Sequence, residues 1–161
     1  MKQLLKDLPV LQWIRDTVKT FSTYTVGVHI RMDSNMVNSW ETTNNYTKDN
    51  YDIIKRERSK SHYSYFVAEM LRLEETLHCD FFVCTDTPSI LPRMKHIFGN
   101  RLHCFDNNVV AQDNVVDRSK AGIQMAFVDM LTLANCNAML GSSWSSFTEV
   151  ARYLHSNDFD F

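Results

Sequence analysis

Glycine and proline are scarce in this 161-residue chain, which contains four glycines and three prolines. The two glycine-rich phosphate loops, G-x-G-x-x-G and G-x-x-x-x-G-K-[ST], are both absent from the sequence. A nucleotide site in this chain therefore needs charged side chains and helix N-termini in place of a glycine cradle. Because glycine and proline favour turns and are few, we expect long helices and strands, and loops that contain little glycine or proline.

Neither sign of charge dominates, since 17 Lys and Arg stand against 19 Asp and Glu. This balance argues against a nucleic-acid partner, which requires a basic surface. No apolar run approaches the roughly 18 residues of a membrane-spanning helix. The first residues carry charges every few positions, which is typical of an amphipathic helix and not of a signal peptide. A complete chain would then be cytoplasmic, whereas a fragment of a longer protein could come from the Golgi or endoplasmic reticulum lumen.

The cysteines lie in apolar surroundings and form no C-x-x-C motif, so we expect reduced, buried thiols at Cys79, Cys84, Cys104 and Cys136. His-Cys pairs at 78–79 and 103–104 contain residue types that bind zinc. Adjacent residues on a strand point to opposite faces, however, so one pair cannot easily reach one ion. We therefore predict no metal site.

The hydrophobic pattern predicts strands that alternate with helices. Strands are predicted at 25–31, 80–85, 102–105 and 137–141. Helices are predicted at 4–21, 51–77 (with a break near 56–61), 87–98 with Thr87 as N-cap, 119–135, and 146–155 with a capping box at 146–149. The polar segments 32–48 and 106–117 are predicted to be loops. We assign residues 1–23 to an N-terminal helix and 24–161 to one α/β domain.

Alternation of this kind predicts a parallel sheet with helices on both faces. In such sheets, ligands bind beyond the carboxyl ends of the strands. The segments at those ends are polar: 29–33, 85–87, 106 onward and 141–146. The sequence therefore predicts a binding site at this edge of the sheet.

Two residues at the end of the first strand, His29 and Arg31, point to the same face. Arginine binds phosphate with two parallel hydrogen bonds and keeps its charge when half-buried. An equally good interpretation is a surface arginine paired with Asp33. Asp86, which follows the second strand, is explained by the neighbouring helix dipole alone.

The last helix is preceded by a turn rich in serine, and the helix before it contains one carboxylate, Asp129. Hydroxyls and N–H groups at a helix start favour anion binding, although ordinary capping uses the same groups. A carboxylate within an apolar helix usually has a partner, and the alternative is a surface position.

Three motifs in these segments resemble the fucosyltransferase superfamily that contains α1,6-fucosyltransferases and protein O-fucosyltransferases. They are GVHIR at 27–31, VCTDTPS at 83–89, and FVDML at 127–131 followed by 139–151 with its Ser-Ser pair. Their order and spacing match that superfamily over about residues 24–155.

The resemblance implies a Rossmann-like fold, namely the donor-binding half of a GT-B glycosyltransferase. It implies inverting transfer of fucose from GDP-fucose to a hydroxyl of a glycan or protein, without a metal or a cofactor beyond this donor. The roles that it implies are diphosphate binding for Arg31, guanine binding for His29 and Asp129, nucleotide contacts for Asp86, Ser145, Ser146 and Arg118, and a catalytic base at Glu41.

The chain departs from the superfamily in having Met32 where a second arginine often stands. Apart from the predicted N-terminal helix, residues 1–161 offer no counterpart to the superfamily's N-terminal partner domain, so we expect a separate acceptor-binding domain or chain. A non-catalytic module that binds GDP or a nucleotide sugar is the alternative. A phosphatase-like or hydrolase-like enzyme is a further class, but G-x-S-x-G and C-x5-R are absent.

Overall fold

The computed structural model of the protein describes residues 11–32, 47–105 and 119–155. Within these residues the strands are Thr25–Ile30 (β1), Asp80–Thr85 (β2), Leu102–His103 (β3) and Ala138–Gly141 (β4). The α-helices there are Gln12–Thr17 (α1), Lys48–Ser59 (α2), Tyr63–Leu77 (α3), Leu91–Phe98 (α4), Lys120–Ala134 (α5) and Ser146–His155 (α6). Short 3-10 turns lie at Pro88–Ile90 and Gly99–Arg101.

The four strands form one parallel sheet in the order β3-β2-β1-β4. At the centre of the sheet, Val28 of β1 is paired with Val83 on one side and Leu140 on the other. The chain adds β2 and β3 on one side of β1 and then returns to place β4 on the opposite side. This order confirms the predicted α/β, Rossmann-like fold, and the reversal beside β1 is where such sheets bind ligands.

Helices cover both faces of the sheet because the side chains of each strand alternate between two apolar cores. One face packs against α3 and α4 through a core of Val26, Val28, Ile30, Met70, Phe81, Val83, Met94 and Phe98. The opposite face packs against α5, α6 and α1 through Phe82, Cys84, Leu133, Cys136 and Ala151, with Ile14, Val128, Leu131 and Leu154 beyond them. The second face also buries His29, which is a polar residue in an apolar layer.

Several element bounds agree with the sequence prediction. The strand at 80–85 and the helix at 146–155 have the predicted bounds, and β1 ends one residue earlier than predicted. The predicted break in the helix over 51–77 separates α2 from α3, although α2 begins at Lys48, inside a predicted loop. Gly99 ends α4 as predicted, with a positive φ of 55° that glycine adopts without strain.

In its described part, the helix predicted over 4–21 is confirmed only at Gln12–Thr17 and is shorter than predicted. Leu11 and Val18 flank α1 with extended ψ angles of 137° and 127°. Beyond Thr17, tertiary contacts replace helical ones, because the Lys19 N–H donates to Thr132 Oγ1 at 3.3 Å and Phe21 packs against the second core.

The predictions for two further elements are corrected. The third strand, predicted at 102–105, ends at His103 and pairs with β2 over two residues only. The helix predicted from Thr87 opens in a 3-10 turn, and the Thr87 hydroxyl donates to Asp86 instead of capping the helix.

Among the helices of the described ranges, none combines the length and apolar character needed to cross a membrane.

Candidate functional site

Ser142, directly after β4, joins the ends of the two strands at the reversal point. Its Oγ accepts a 2.8 Å hydrogen bond from the Arg31 N–H and donates one of 3.1 Å to the His29 carbonyl. The Ser142 N–H donates to the same carbonyl at 3.1 Å. The backbone that carries Arg31 is therefore held to β4 beyond the end of the regular ladder.

Asp86, directly after β2, holds Arg31 from the other side. Its Oδ1 accepts hydrogen bonds from the Met32 N–H at 3.1 Å and from the Thr87 hydroxyl at 3.0 Å. Its Oδ2 lies 3.8 Å from Arg31 Nε, which is an ion pair and too long for a hydrogen bond. The Arg31 side chain remains 33% exposed. Asp86 thus orients a half-buried guanidinium at the carboxyl edge of the sheet, while Asp33, the alternative partner, lies outside the described residues.

His29, on β1, is buried against the first turn of α6. Its ring stacks on Phe147, and its Nδ1 shares a 2.7 Å hydrogen bond with Thr148 Oγ1. Burial, and secondarily the charge of Arg31, lower the pKa of His29 to about 3. The imidazole is consequently neutral at neutral pH.

Gly141, the last residue of β4, allows this arrangement of His29 and Thr148. A Cβ built on Gly141 would overlap the Thr148 side chain, which packs directly on the glycine. Only the absence of a side chain lets the first turn of α6 approach β4 this closely. The close approach brings the Thr148 hydroxyl within reach of His29.

A cavity of about 380 Å³ opens at this edge. It is lined by His29 and Arg31, by the end of β2, by one side of α5 and by α6: Cys84, Thr85, Asp86, Gly122, Ile123, Ala126, Asp129 and Phe147. One cavity therefore contains four of the site residues predicted from the sequence: His29, Arg31, Asp86 and Asp129. Asp129 is half-buried on its wall and not on an open helix surface.

A second cavity of about 440 Å³ shares Cys84, Thr85 and Asp129 with the first. Its remaining walls are mainly apolar and belong to Val83, Pro88, Leu91, Pro92, Lys95, Cys104 and Phe105. Asp129 therefore borders both spaces. Burial raises the pKa of the Cys84 thiol well above its usual range, and the Asp129 carboxylate contributes in the same direction. That thiol is protonated and is not a nucleophile at neutral pH.

The predicted serines take a structural place. Ser145 is buried, and its Oγ accepts a hydrogen bond from the Thr148 N–H at 3.4 Å, so Ser145 caps α6. The N-cap is therefore Ser145, one residue before the Ser146 on which the predicted capping box at 146–149 depends. Ser146 is exposed, and neither serine is among the described residues that line the cavity. Glu41 and Arg118 lie outside the described residues.

Sequence reasoning missed Phe147 and Thr148 as partners of His29. The available signal was an aromatic and a hydroxyl in the first turn of a predicted helix that follows a serine-rich strand end. That signal alone does not name the residue across the sheet that the two side chains contact.

Within residues 11–32, 47–105 and 119–155, no three His, Cys, Asp or Glu side chains gather where they could hold a metal ion. The cysteines are free; Cys79, Cys84 and Cys136 are buried as predicted, whereas Cys104 is only partly buried.

Comparison with protein-family models finds no match to the chain, and comparison with curated proteins finds none either. The site itself and the three sequence motifs are accordingly the features that indicate a function.

Proposed function

We propose that this chain is the donor-binding domain of a fucosyltransferase that uses GDP-fucose and inverts the configuration at the transferred carbon. One observation carries the proposal: Arg31, His29 and Asp129 line a single cavity beside β1, at the strand reversal where Rossmann-like sheets bind nucleotides. The resemblance of the three motifs to the fucosyltransferase superfamily names the nucleotide and the sugar.

Arg31 is suited to the diphosphate of the donor. The ion pair with Asp86 approaches the guanidinium at Nε, and the side chain is one-third exposed toward the cavity edge. A guanidinium has further N–H donors that match two phosphate oxygens. As the bond between fucose and diphosphate breaks, charge grows on the leaving group, and a fixed cation stabilises that change.

Asp129 and His29 are suited to the base. A carboxylate can accept two hydrogen bonds from the N1–H and the exocyclic amine of guanine, whereas adenine has an unprotonated N1. The neutral imidazole of His29 adds no positive charge beside the base. The second cavity, which also borders Asp129, gives the donor additional room.

Transfer itself is a single displacement in this proposal. The acceptor hydroxyl attacks the anomeric carbon, its proton passes to Glu41, and the bond to the diphosphate oxygen breaks on the opposite face. Arg118 adds a second cation at the phosphates. The assignments of Glu41 and Arg118 rest on the resemblance, and so does an acceptor-binding wall supplied by a separate domain or chain.

Thermal unfolding of the full chain with GDP, GDP-fucose, UDP and ADP tests the donor assignment. A nucleotide at one hundred times its dissociation constant stabilises the fold by about 2.7 kcal/mol. We expect this stabilisation with GDP and GDP-fucose and a smaller one with ADP. Equal effects of all four nucleotides, or no effect of any, would contradict the assignment.

A second measurement follows fucose release and transfer from GDP-fucose by chromatography. Binding of GDP without any turnover would favour the alternative, a nucleotide-binding module that does not transfer sugar.

A further inference from the structure

Trp144, in the turn between β4 and α6, has an unusual backbone. Its φ is 54°, in the left-handed region that bulky residues seldom occupy because Cβ approaches the following carbonyl. The residue is also 58% exposed. The fold therefore holds Trp144 in a strained backbone conformation without burying its aromatic ring. Residues with strained backbones cluster at active sites and ligand-binding sites.

Hydrogen bonds hold the turn around Trp144. Ser142 and Ser145 are both buried and bind the backbone of Arg31 and Thr148, respectively. Between them, the Ser143 N–H donates to the buried Ser61 Oγ at 3.2 Å. Ser143 is thus bound to the turn between α2 and α3, and Ser145 to the first turn of α6, so hydrogen bonds hold the backbone on both sides of the indole.

Trp144 also belongs to the edge that carries the donor cavity. It lies two residues after Ser142, which holds Arg31, and three residues before Phe147, which lines the cavity. Its exposed neighbours in the chain, Ser143 and Ser146, carry hydroxyls and not apolar side chains. One flat apolar ring with exposed serines before and after it in the chain matches a pyranose, which has an apolar C–H face and polar edges. A protein partner would need a broader apolar patch.

We infer that Trp144 is a binding platform on which a pyranose ring of the acceptor stacks, so the acceptor of the proposed transfer is a glycan. This inference rests on the proposed function only in naming the bound saccharide as the acceptor. Stacking of a saccharide on Trp144 needs neither GDP nor turnover, and can be measured separately.

The test is isothermal titration of the full chain with chitotriose, lactose and maltotriose, each with and without saturating GDP. Trp144→Gly removes the ring and relaxes the backbone, so it is expected to fold, and Trp144→Phe keeps an aromatic face. Trp13→Ala, which removes an exposed indole from α1, is the matched control.

We expect at least one saccharide to bind the wild type. Its affinity should fall by roughly tenfold or more in Trp144→Gly and by less than about threefold in Trp144→Phe. The affinity for GDP should stay unchanged in both variants, and Trp13→Ala should match the wild type.

The inference is overturned if Trp144→Gly keeps the wild-type affinity for the saccharide, or if none of the three saccharides binds the wild type. Binding of a peptide acceptor that depends on Trp144, without any saccharide binding, overturns it in the same way. If a saccharide binds through Trp144 but GDP does not bind, the proposed function fails and the platform stands.

Discussion

The imidazole of His29 stacks on the ring of Phe147, with 4.5 Å between the ring centroids and 28° between the ring planes. Phe147 and Thr148 are neighbours in α6, so one helical turn supplies both the stacking partner and the hydrogen bond of His29. The central strand and the last helix are therefore coupled through one side chain. Since that side chain is buried and neutral, its protonation opposes folding.

Acid is expected to destabilise the protein through His29. The unfolded chain binds a proton near the ordinary pKa of 6.5, whereas the folded chain does so only near 3. The free energy of unfolding should therefore fall as pH decreases between these two values, because the unfolded state binds more protons. In His29→Asn the pH slope should be shallower by up to about 1.4 kcal/mol per pH unit. Urea denaturation at pH 7, 5.5 and 4.5 measures it, and an unchanged slope removes His29 as the cause.

Replacing Arg31 by Lys is expected to weaken GDP binding by roughly tenfold and to slow transfer further. Lysine keeps the positive charge but lacks the planar pair of donors that matches two phosphate oxygens. Calorimetry with GDP and an initial-rate assay with GDP-fucose measure the two effects. Arg101→Lys is the control, because Arg101 pairs with Glu74 just before β3, at the opposite edge of the sheet. Equal loss in both variants would contradict a specific role for Arg31.

Asp129→Asn is expected to remove the preference for GDP over ADP. The carboxylate accepts two N–H groups from guanine in the proposed complex, and adenine leaves it with an unmade hydrogen bond. The loss of such a hydrogen bond to a charged group costs roughly 1–3 kcal/mol, which sets the expected preference of the wild type. Competition titrations with the two nucleotides measure it, with the exposed Asp16→Asn on α1 as control. A wild type that binds both equally removes Asp129 from the base site.

Glu41→Gln is expected to leave GDP affinity unchanged and to reduce transfer by roughly 10²–10⁴-fold, the usual contribution of a general base. The amide cannot take the acceptor proton, but it has nearly the size of the carboxylate. Transfer at the wild-type rate would show that the hydroxyl loses its proton elsewhere. Glu75→Gln, on an exposed position of α3, controls for the loss of one acidic residue.

Chelation of metal ions should leave GDP affinity unchanged if Arg31 and backbone N–H groups bind the diphosphate. Titration of the protein with GDP before and after dialysis against EDTA measures this. A large loss of affinity on chelation would contradict this description of the site and would favour a metal site that includes the His-Cys pairs.

Periodicity predicted most of the elements because strands and helices bury their side chains with different periods. The bounds of β2 and α6 followed from this pattern and from polar residues at each end. The failures occurred where tertiary contacts outweigh local preference. The backbone after Thr17 leaves the helix to reach α5. Ser145, which is buried, caps α6 in place of the exposed Ser146.

The sequence by itself determined the alternation of strands and helices, and it placed His29, Arg31 and Asp86 at strand ends on one edge. Only the tertiary structure decided the contacts among them. Arg31 pairs with Asp86, and His29 meets a hydroxyl 119 positions away. Local patterns carry no information about such partners, because the strand order in the sheet, and not distance along the chain, brings them together.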